Sequence, residues 1–229
     1  MKILAITTSS SNCSVAILED NKLIKELNIN NTKTHSETLM PLIKQILDET
    51  NLDFSDINYL ACDVGPGSFT GIRIGVATIK AISEIKNLPI CPVSSLEALS
   101  QIIREPKELI VSLIDARNDQ AYCGIFNSDY SLHTEFFADS ISNIIKILKK
   151  ENKSISFVGD ASLLHKNVLE ESFTNSSFVD NTTLTSYLVG ISSKIKISHS
   201  IVCTSDELIP LYLRKSSAER LLGIKNGKN

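Results

Sequence analysis

Apolar residues along this chain fall into short solid or alternating runs and longer stretches of period near 3.6. The run at 3–6 breaks at a polar turn, 7–12, resumes at 13–18 and meets a second polar turn at 19–22. That pattern reads as a β-hairpin. It recurs 108 residues on, where VSLIDARNDQAYCGIFNSDYS (111–131) follows ILAITTSSSNCSVAILEDNKL (3–23) in pattern without a gap. Each hairpin is followed by a helical stripe (36–50; 140–150), an apolar strand (57–64; 155–160), a glycine turn and a second helix (from 71; 161–171). Such a repeat predicts an α/β protein of two similar lobes. The first should cover 1–104 and the second about 107–205, with Pro106 near the crossover. A C-terminal segment, 206–229, carries the apolar PLYL (210–213), which needs a sheet or helix to cover it and should return to the first lobe. In the 36–50 helix Leu39, Leu42, Ile43, Ile46 and Leu47 form a stripe wide enough to bury. Pro41 should shift the start of that helix or kink it.

Four of the nine glycines lie in DVGPGSFTGIRIG, 63–75. The segment ends a strand and opens a helix whose Ile72, Val76, Ile79, Ala81, Ile82 and Ile85 recur at helical spacing. Unpaired N–H groups at a helix start receive anions, so Gly65, Gly67, Ser68 and Thr70 form a candidate anion or nucleotide loop. Familiar glycine loops do not fit. Five residues separate Gly65 from Gly71 and no Lys-Ser/Thr follows, so it is not a Walker A loop. Position 70 is Thr where a dinucleotide fingerprint needs Gly, and Pro66 and Thr70 flank Ser68 where a nucleophile elbow needs glycines. Gly71 and Gly75 are four apart, as are Ala77 and Ala81, and let another helix approach closely along that side.

A chain of 229 residues with 42% hydrophobic and 21% charged residues has ample core for a globular fold. No apolar run approaches the roughly 18 residues of a membrane span. Neither a signal peptide nor a membrane segment is expected, and the expected location is cytoplasmic. Cysteines 13, 62, 91, 123 and 203 are far apart and sit mostly in apolar runs, so they read as reduced core residues. A net charge of −3 argues against nucleic-acid binding over the whole surface. The tail from Arg214 is the local exception, with Arg214, Lys215, Arg220, Lys225 and Lys228 against Glu219 alone.

ILAITTSSSNCSVAIL, HSETLMPLI (35–43), DVGPGSFTGIRIGVATIKAI (63–82), VSSLEAL (93–99), DAR…AY (115–122) and PLYLR (210–214) occur in the order and at the spacings of one family. The chain resembles TsaB, also called YeaZ, over nearly its whole length. That resemblance implies the duplicated actin-like ATPase (ASKHA) fold, in agreement with the internal repeat. It also implies a role in bacterial tRNA modification, in which a threonylcarbamoyl group moves from its adenylate to the adenosine beside the anticodon. In the family the catalytic subunit is the paralogue TsaD; TsaB is its non-catalytic scaffold and activator, joined by the small ATPase TsaE. Family members pair through helices equivalent to 36–50 and 71–86. The partner surface is therefore expected on Leu39, Leu42, Ile43, Ile46, Gly71, Ile72, Gly75, Ala77 and Ile79, shared by a homodimer of the isolated protein and by the heterodimer. Transfer RNA is expected to be met only through the complex. No cofactor is required on this reading, and nucleotide with Mg belongs only at a complex interface. One departure stands out: the family usually has Asp where this chain has Thr7, and a hydroxyl holds a hard cation far less well than a carboxylate.

Three other functions compete. An actin-like ATP-dependent phosphotransferase or ATPase would use the cleft between lobes, with Asp115 as a metal ligand; a turn-capping role is the plainer reading of Asp115. A metallopeptidase needs clustered ligands, whereas His35, His133, His165 and His199 stand far apart. Direct RNA recognition rests on Arg73, Arg104, Arg117 and the tail, but lacks interleaved aromatics.

Overall fold

A computed structural model describes residues 1–20, 22–30, 34–180 and 182–214. The remainder of the basic tail, from 215, lies outside the described residues. The first half contains β1 (Lys2–Thr7), β2 (Cys13–Glu19), β3 (Lys22–Ile29), α1 (His35–Thr50), β4 (Tyr59–Asp63), α2 (Phe69–Lys86), β5 (Ile90–Val93) and α3 (Ser95–Ser100). The second contains β6 (Leu109–Asp115), β7 (Gln120–Asn127), β8 (Phe137–Ser140), α4 (Ile141–Glu151), β9 (Ile155–Val158), α5 (Asp160–Leu164), α6 (Lys166–Ser172), β10 (Ser176–Phe178) and α7 (Ser186–Ser198). Two five-stranded sheets result, ordered β3-β2-β1-β4-β5 and β10-β9-β6-β7-β8. Read from opposite ends these are one order. In each, a hairpin strand pairs in parallel with the strand after the next helix, Ile3 beside Tyr59 and Val111 beside Phe157.

The repeat is gapless through the first strand and then slips by one residue. Leu4 faces Ile17 in the first hairpin, and its counterpart Ser112 faces Gly124 in the second. The second turn is the tighter one, and Arg117, Asn118 and Asp119 all take left-handed backbone there, with φ of 63°, 56° and 55°. The helix expected over 161–171 is broken at His165 into α5 and α6. Helix α1 runs through Pro41, which lies exposed on its outer side.

Five layers stack through the molecule. Leu4, Ile6, Val15, Ile17 and Leu60 on one face of the first sheet pack against Leu39, Ile43, Ile46, Ile72 and Ile79 of α1 and α2. The opposite face, with Ile3, Ala5, Ala16 and Leu18, packs against α3, α7 and the inner side of the second sheet. Outside the second sheet lie α4, α5 and α6 over Leu109, Val111 and Phe157. Strands buried on both faces carry near-continuous apolar runs, which is why β1, β2 and β4 read as solid hydrophobic stretches.

The second-lobe range 107–205 needs correction, because α7 packs on β1, β2 and β5 of the first sheet. Gly190 permits this: a Cβ there would meet Leu18 Cδ1 at 2.3 Å. The return to the first lobe thus begins before residue 206. Residues 208–214 then form a strap. Leu208 is buried in the first core, Leu211 N donates to Val64 O at 2.8 Å, and Arg214 Nη1 donates to Ala116 O on the second hairpin.

Candidate functional site

Where β1, β4 and the start of α3 meet, one carboxylate organises the glycine segment. Asp63 is 1% exposed. Its Oδ2 accepts from Thr7 Oγ1 at 2.6 Å and Ser9 Oγ at 2.5 Å, and its Oδ1 from Ser95 Oγ at 2.7 Å and Gly65 N at 2.9 Å. Burial pushes the Asp63 carboxyl above the usual aspartate range, and these hydrogen bonds pull it part of the way back. Thr7 therefore holds a neighbouring carboxylate by its hydroxyl. Ser95 is placed by a capping box, in which Ser94 N donates to Glu97 Oε2 at 2.7 Å. The S-x-x-E spacing in SSLEAL is the signal that announces it.

Of the candidate anion loop Gly65, Gly67, Ser68 and Thr70, two N–H groups bond within the protein. Gly65 N is engaged by Asp63, Ser68 N donates to Ser9 O at 2.7 Å, and Gly71 N donates to Ser68 Oγ at 3.2 Å. A Cβ on Gly67 would meet Ser9 O at 2.3 Å, so glycine is required for the loop to lie against the first hairpin turn. These donors are spent within the protein, and a carboxylate lies beneath them. Thr70 is exposed at the first turn of α2.

The partner-surface residues also need correction. Leu39, Leu42, Ile43, Ile46, Ile72 and Ile79 are at most 2% exposed and belong to the first core. Gly71 and Gly75 face Thr8, just past β1: a Cβ would meet Thr8 O at 1.9 Å at position 71 and Thr8 Oγ1 at 2.5 Å at position 75. A 3.6-period apolar stripe marks the side of a helix that the lobe itself covers. Of the nine residues Ala77 alone is exposed. The outward side of α2 instead carries Arg73, Ala77, Ala81 and Ile85, with Met40 and Pro41 on the outward side of adjacent α1. Ile85 is 78% exposed and Met40 49%.

Between the lobes opens a cleft of about 620 Å³, lined by Ser10, Asn28, Pro66, Leu99, Ile114 and Asp160 among others. Asp160 Oδ1 accepts from Asp115 N at 2.9 Å and Ala161 N at 2.8 Å, and Asp115 Oδ1 accepts from Arg117 N at 2.8 Å. Asp115 is thus a turn residue engaged with backbone. Three histidines are engaged as well: His35 Nε2 lies 2.8 Å from Ser10 O, His133 sits between Asn127 and Glu151, and His199 Nδ1 lies 2.8 Å from Ile195 O. Among the described residues no three His, Cys, Asp or Glu side chains come together as a metal-ligand set. No helix among them is long and apolar enough to cross a membrane. Cysteines 13, 62, 91 and 123 are buried thiols, and burial raises Cys13 to about 11 and Cys91 to about 12.

The family described as TsaD, tRNA N6-adenosine threonylcarbamoyltransferase, matches residues 23–221. The tRNA threonylcarbamoyladenosine biosynthesis protein TsaB of Bacillus subtilis is 31% identical over 182 residues, 78% of this chain and 80% of that protein. TsaB of Buchnera aphidicola from Schizaphis graminum is 35% identical over 164 residues, 69% of this chain and 78% of its own. A tRNA N6-adenosine threonylcarbamoyltransferase of Wolbachia pipientis matches differently: 32% identity over 117 residues covers 44% of this chain but 35% of the transferase. The solved structure of YeaZ from Pseudomonas aeruginosa superposes with a TM-score of 0.74 at 20% identity, covering 93% of this chain and 99% of that one. A further Pseudomonas aeruginosa structure, described as similar to peptidase YeaZ, gives a TM-score of 0.78 at 21% identity with the same coverage. Both share the fold.

Proposed function

This chain belongs to the TsaB family, and from that membership we propose that it serves tRNA threonylcarbamoyladenosine biosynthesis as the non-catalytic partner of a TsaD-type transferase. The matches favour this role over that of the transferase, since TsaB aligns over 78% of this chain and 80% of its own length and the Wolbachia transferase over 44% and 35%. Chemistry favours it too. The conspicuous carboxylate, Asp63, is sealed by three hydroxyls and an N–H, so it organises the fold and faces no substrate.

The observation that carries the partner reading is the outward side of α1 and α2. Met40, Ala77, Ala81 and Ile85 form an exposed stripe of apolar and small residues alongside the charged Arg73, Lys44 and Glu84. Small residues let a facing helix come close, so a helical pair from the transferase fits there. A second copy of this chain would use the same surface, and homodimer and heterodimer exclude one another. The small ATPase TsaE joins the assembled pair, tRNA is met by the complex, and nucleotide with Mg belongs at an interface of that complex. The setting is the cytoplasm.

Ala81→Glu tests this. The side chain points outward, so folding is spared, while a charge pressed into an apolar contact should weaken association with the TsaD-type partner. An overpacked contact alone costs about 1–3 kcal/mol, roughly 5-fold to over 100-fold in affinity. Light scattering of the mixed subunits reads association, and a thermal melt reads folding. Undiminished association would place the interface elsewhere. Modification that persists when the partner's own catalytic residues are inactivated would remove the assignment of catalysis to the partner.

A further inference from the structure

Helix α4 carries cations on its outer side with no acids set to balance them. Lys146, Lys149 and Lys150 are exposed there, and half-buried Lys153 follows one residue past the Asn152 cap. Spacing of three and four residues puts the first three on one side of the helix. Two other helices pair a lysine with an acid four residues on, Lys44 with Asp48 on α1 and Lys166 with Glu170 on α6. On α4 the residue four past Lys146 is another lysine, an unfavourable spacing for like charges. None of these α4 lysines forms an ion pair among the described residues. The nearby acids are engaged: Glu108 Oε2 accepts from Ser154 N and Ser154 Oγ, both at 2.9 Å, and Glu151 Oε2 lies 3.1 Å from His133 Nε2. A helix dipole favours cations in the last turn, which accounts for Lys149 and Lys150 but for neither Lys146 nor Lys153. Beside the row, a hollow of about 360 Å³ is lined by Lys149, Asn152, Lys153, Ser154, Thr174 and Asn175 among others. Lys107 Nζ reaches its wall, donating to Asn175 Oδ1 at 2.6 Å.

Charge, and what surrounds it, choose the ligand. A chain of net charge −3 that gathers Lys107 and the α4 lysines on one surface has a local site for a polyanion. A lipid surface would need an apolar side turned outward, and α4 turns Ile141, Ile144, Ile145 and Leu148 into its own lobe. No large hydrophobic residue between 133 and 163 is exposed, so a protein partner would find no apolar centre to bury. Phosphates along a double-helical RNA match the row of lysines, and 2′-hydroxyls of its shallow groove match the amides and hydroxyls of the hollow. We propose that the outer side of α4 and the hollow beside it bind the backbone of double-helical RNA, with phosphates on Lys146, Lys149, Lys150 and Lys153. Helix α4 lies outside the second sheet and α1 and α2 lie outside the first, so this surface and the partner face can be occupied together. The proposal rests on the proposed role in tRNA modification, which brings an RNA to the complex, and it goes beyond that role in giving this subunit its own RNA contact.

The test uses the assembled complex with the TsaD-type partner and an unmodified tRNA transcript, with binding followed by fluorescence anisotropy over a salt series. Exchanging Lys146, Lys149, Lys150 and Lys153 together for Gln should lower the slope of log K against log salt by about 3, just under one for each phosphate contact, and weaken binding at 0.1 M salt by about 10-fold or more. Exchanging the same four for Arg, which keeps the charge, retains the slope. Subunit association by light scattering and the melting temperature, read in parallel, are expected to stay unchanged. A wild-type slope and affinity in the Gln variant overturn the proposal. So does loss of subunit association in that variant, which would make the surface a protein contact. A wild-type chain that does not associate with the partner defeats the partnership instead. The same variants are then read on the chain alone, where a salt slope that the Gln exchange leaves unchanged overturns the RNA contact.

Discussion

Four donors from separate segments converge on Asp63: Thr7 and Ser9 from the first hairpin, Gly65 from its own loop and Ser95 from α3. Deleting the acceptor leaves them unpaired in a dry interior, so Asp63→Ala is expected to cost about 3–5 kcal/mol in urea unfolding. The pH dependence has a definite sign. Because burial raises the folded-state value, the folded protein prefers the protonated carboxyl. Stability linked to Asp63 is complete below the ordinary aspartate value of 3.8 and is lost as pH rises through the higher folded value. Asp63→Asn has no such titration. The stability of wild type relative to Asp63→Asn should therefore fall as pH rises above about 4, and a pH-independent difference in urea midpoints would count against the assignment. At this scale the sequence was partly legible. Asp63 opens the glycine motif and the capping box at Ser94 and Glu97 is written in its spacing, but the hydroxyls of Thr7 and Ser9 reach Asp63 only because β1 pairs with β4. Local spacing holds no trace of that pairing.

Helix α2 separates what periodicity reveals from what it hides. The stripe of Ile72, Val76, Ile79 and Ile82 located the helix and its buried side, and all four are at most 7% exposed. The partner surface was expected to include Ile72 and Ile79 of that stripe, with Gly71 and Gly75, and the lobe itself covers all four. Glycines four apart permit close approach of any neighbour, and here it is Thr8, just past β1, by its carbonyl at Gly71 and its hydroxyl at Gly75. Gly75→Leu should consequently overpack the lobe, lowering stability by about 1–3 kcal/mol or more, and leave the outward surface in place. Ala81→Glu should do the reverse. Melting temperature and light scattering on the two variants form a crossed pair: a Gly75→Leu protein with wild-type melting and weakened association would restore the original assignment. The outward surface was harder to read because it lacks periodic hydrophobics; its mark is Ala77, Ala81 and Ile85 set among charged residues such as Arg73 and Glu84.

At the scale of the whole molecule, the repeat made two lobes visible in the sequence, yet the first sheet is covered by a helix from late in the chain. Helix α7 comes late in the chain and covers the inner face of the first sheet with Leu188 and Val189. Its approach is fixed by polar contacts as well. Asn12 Nδ2 donates to Leu184 O at 3.1 Å, Ser186 N to Ser14 Oγ at 2.9 Å, and Lys196 Nζ lies 3.1 Å from Glu97 Oε1. No feature of the 108-residue repeat announces this, because α7 follows the second copy and its weak amphipathicity reflects burial on several sides. A fragment ending at residue 104 would leave Ile3, Ala5, Ala16 and Leu18 uncovered along a sheet face, too much apolar surface for a stable fold. Expressed alone, it should lack a cooperative thermal transition. Joining 182–214 to its end through a flexible linker should restore one, since that piece supplies α7 and the strap. Circular dichroism melts of the two fragments decide it. A cooperative transition in the fragment 1–104 without α7 would show that the first lobe folds by itself, and that the late helix only docks onto a finished surface.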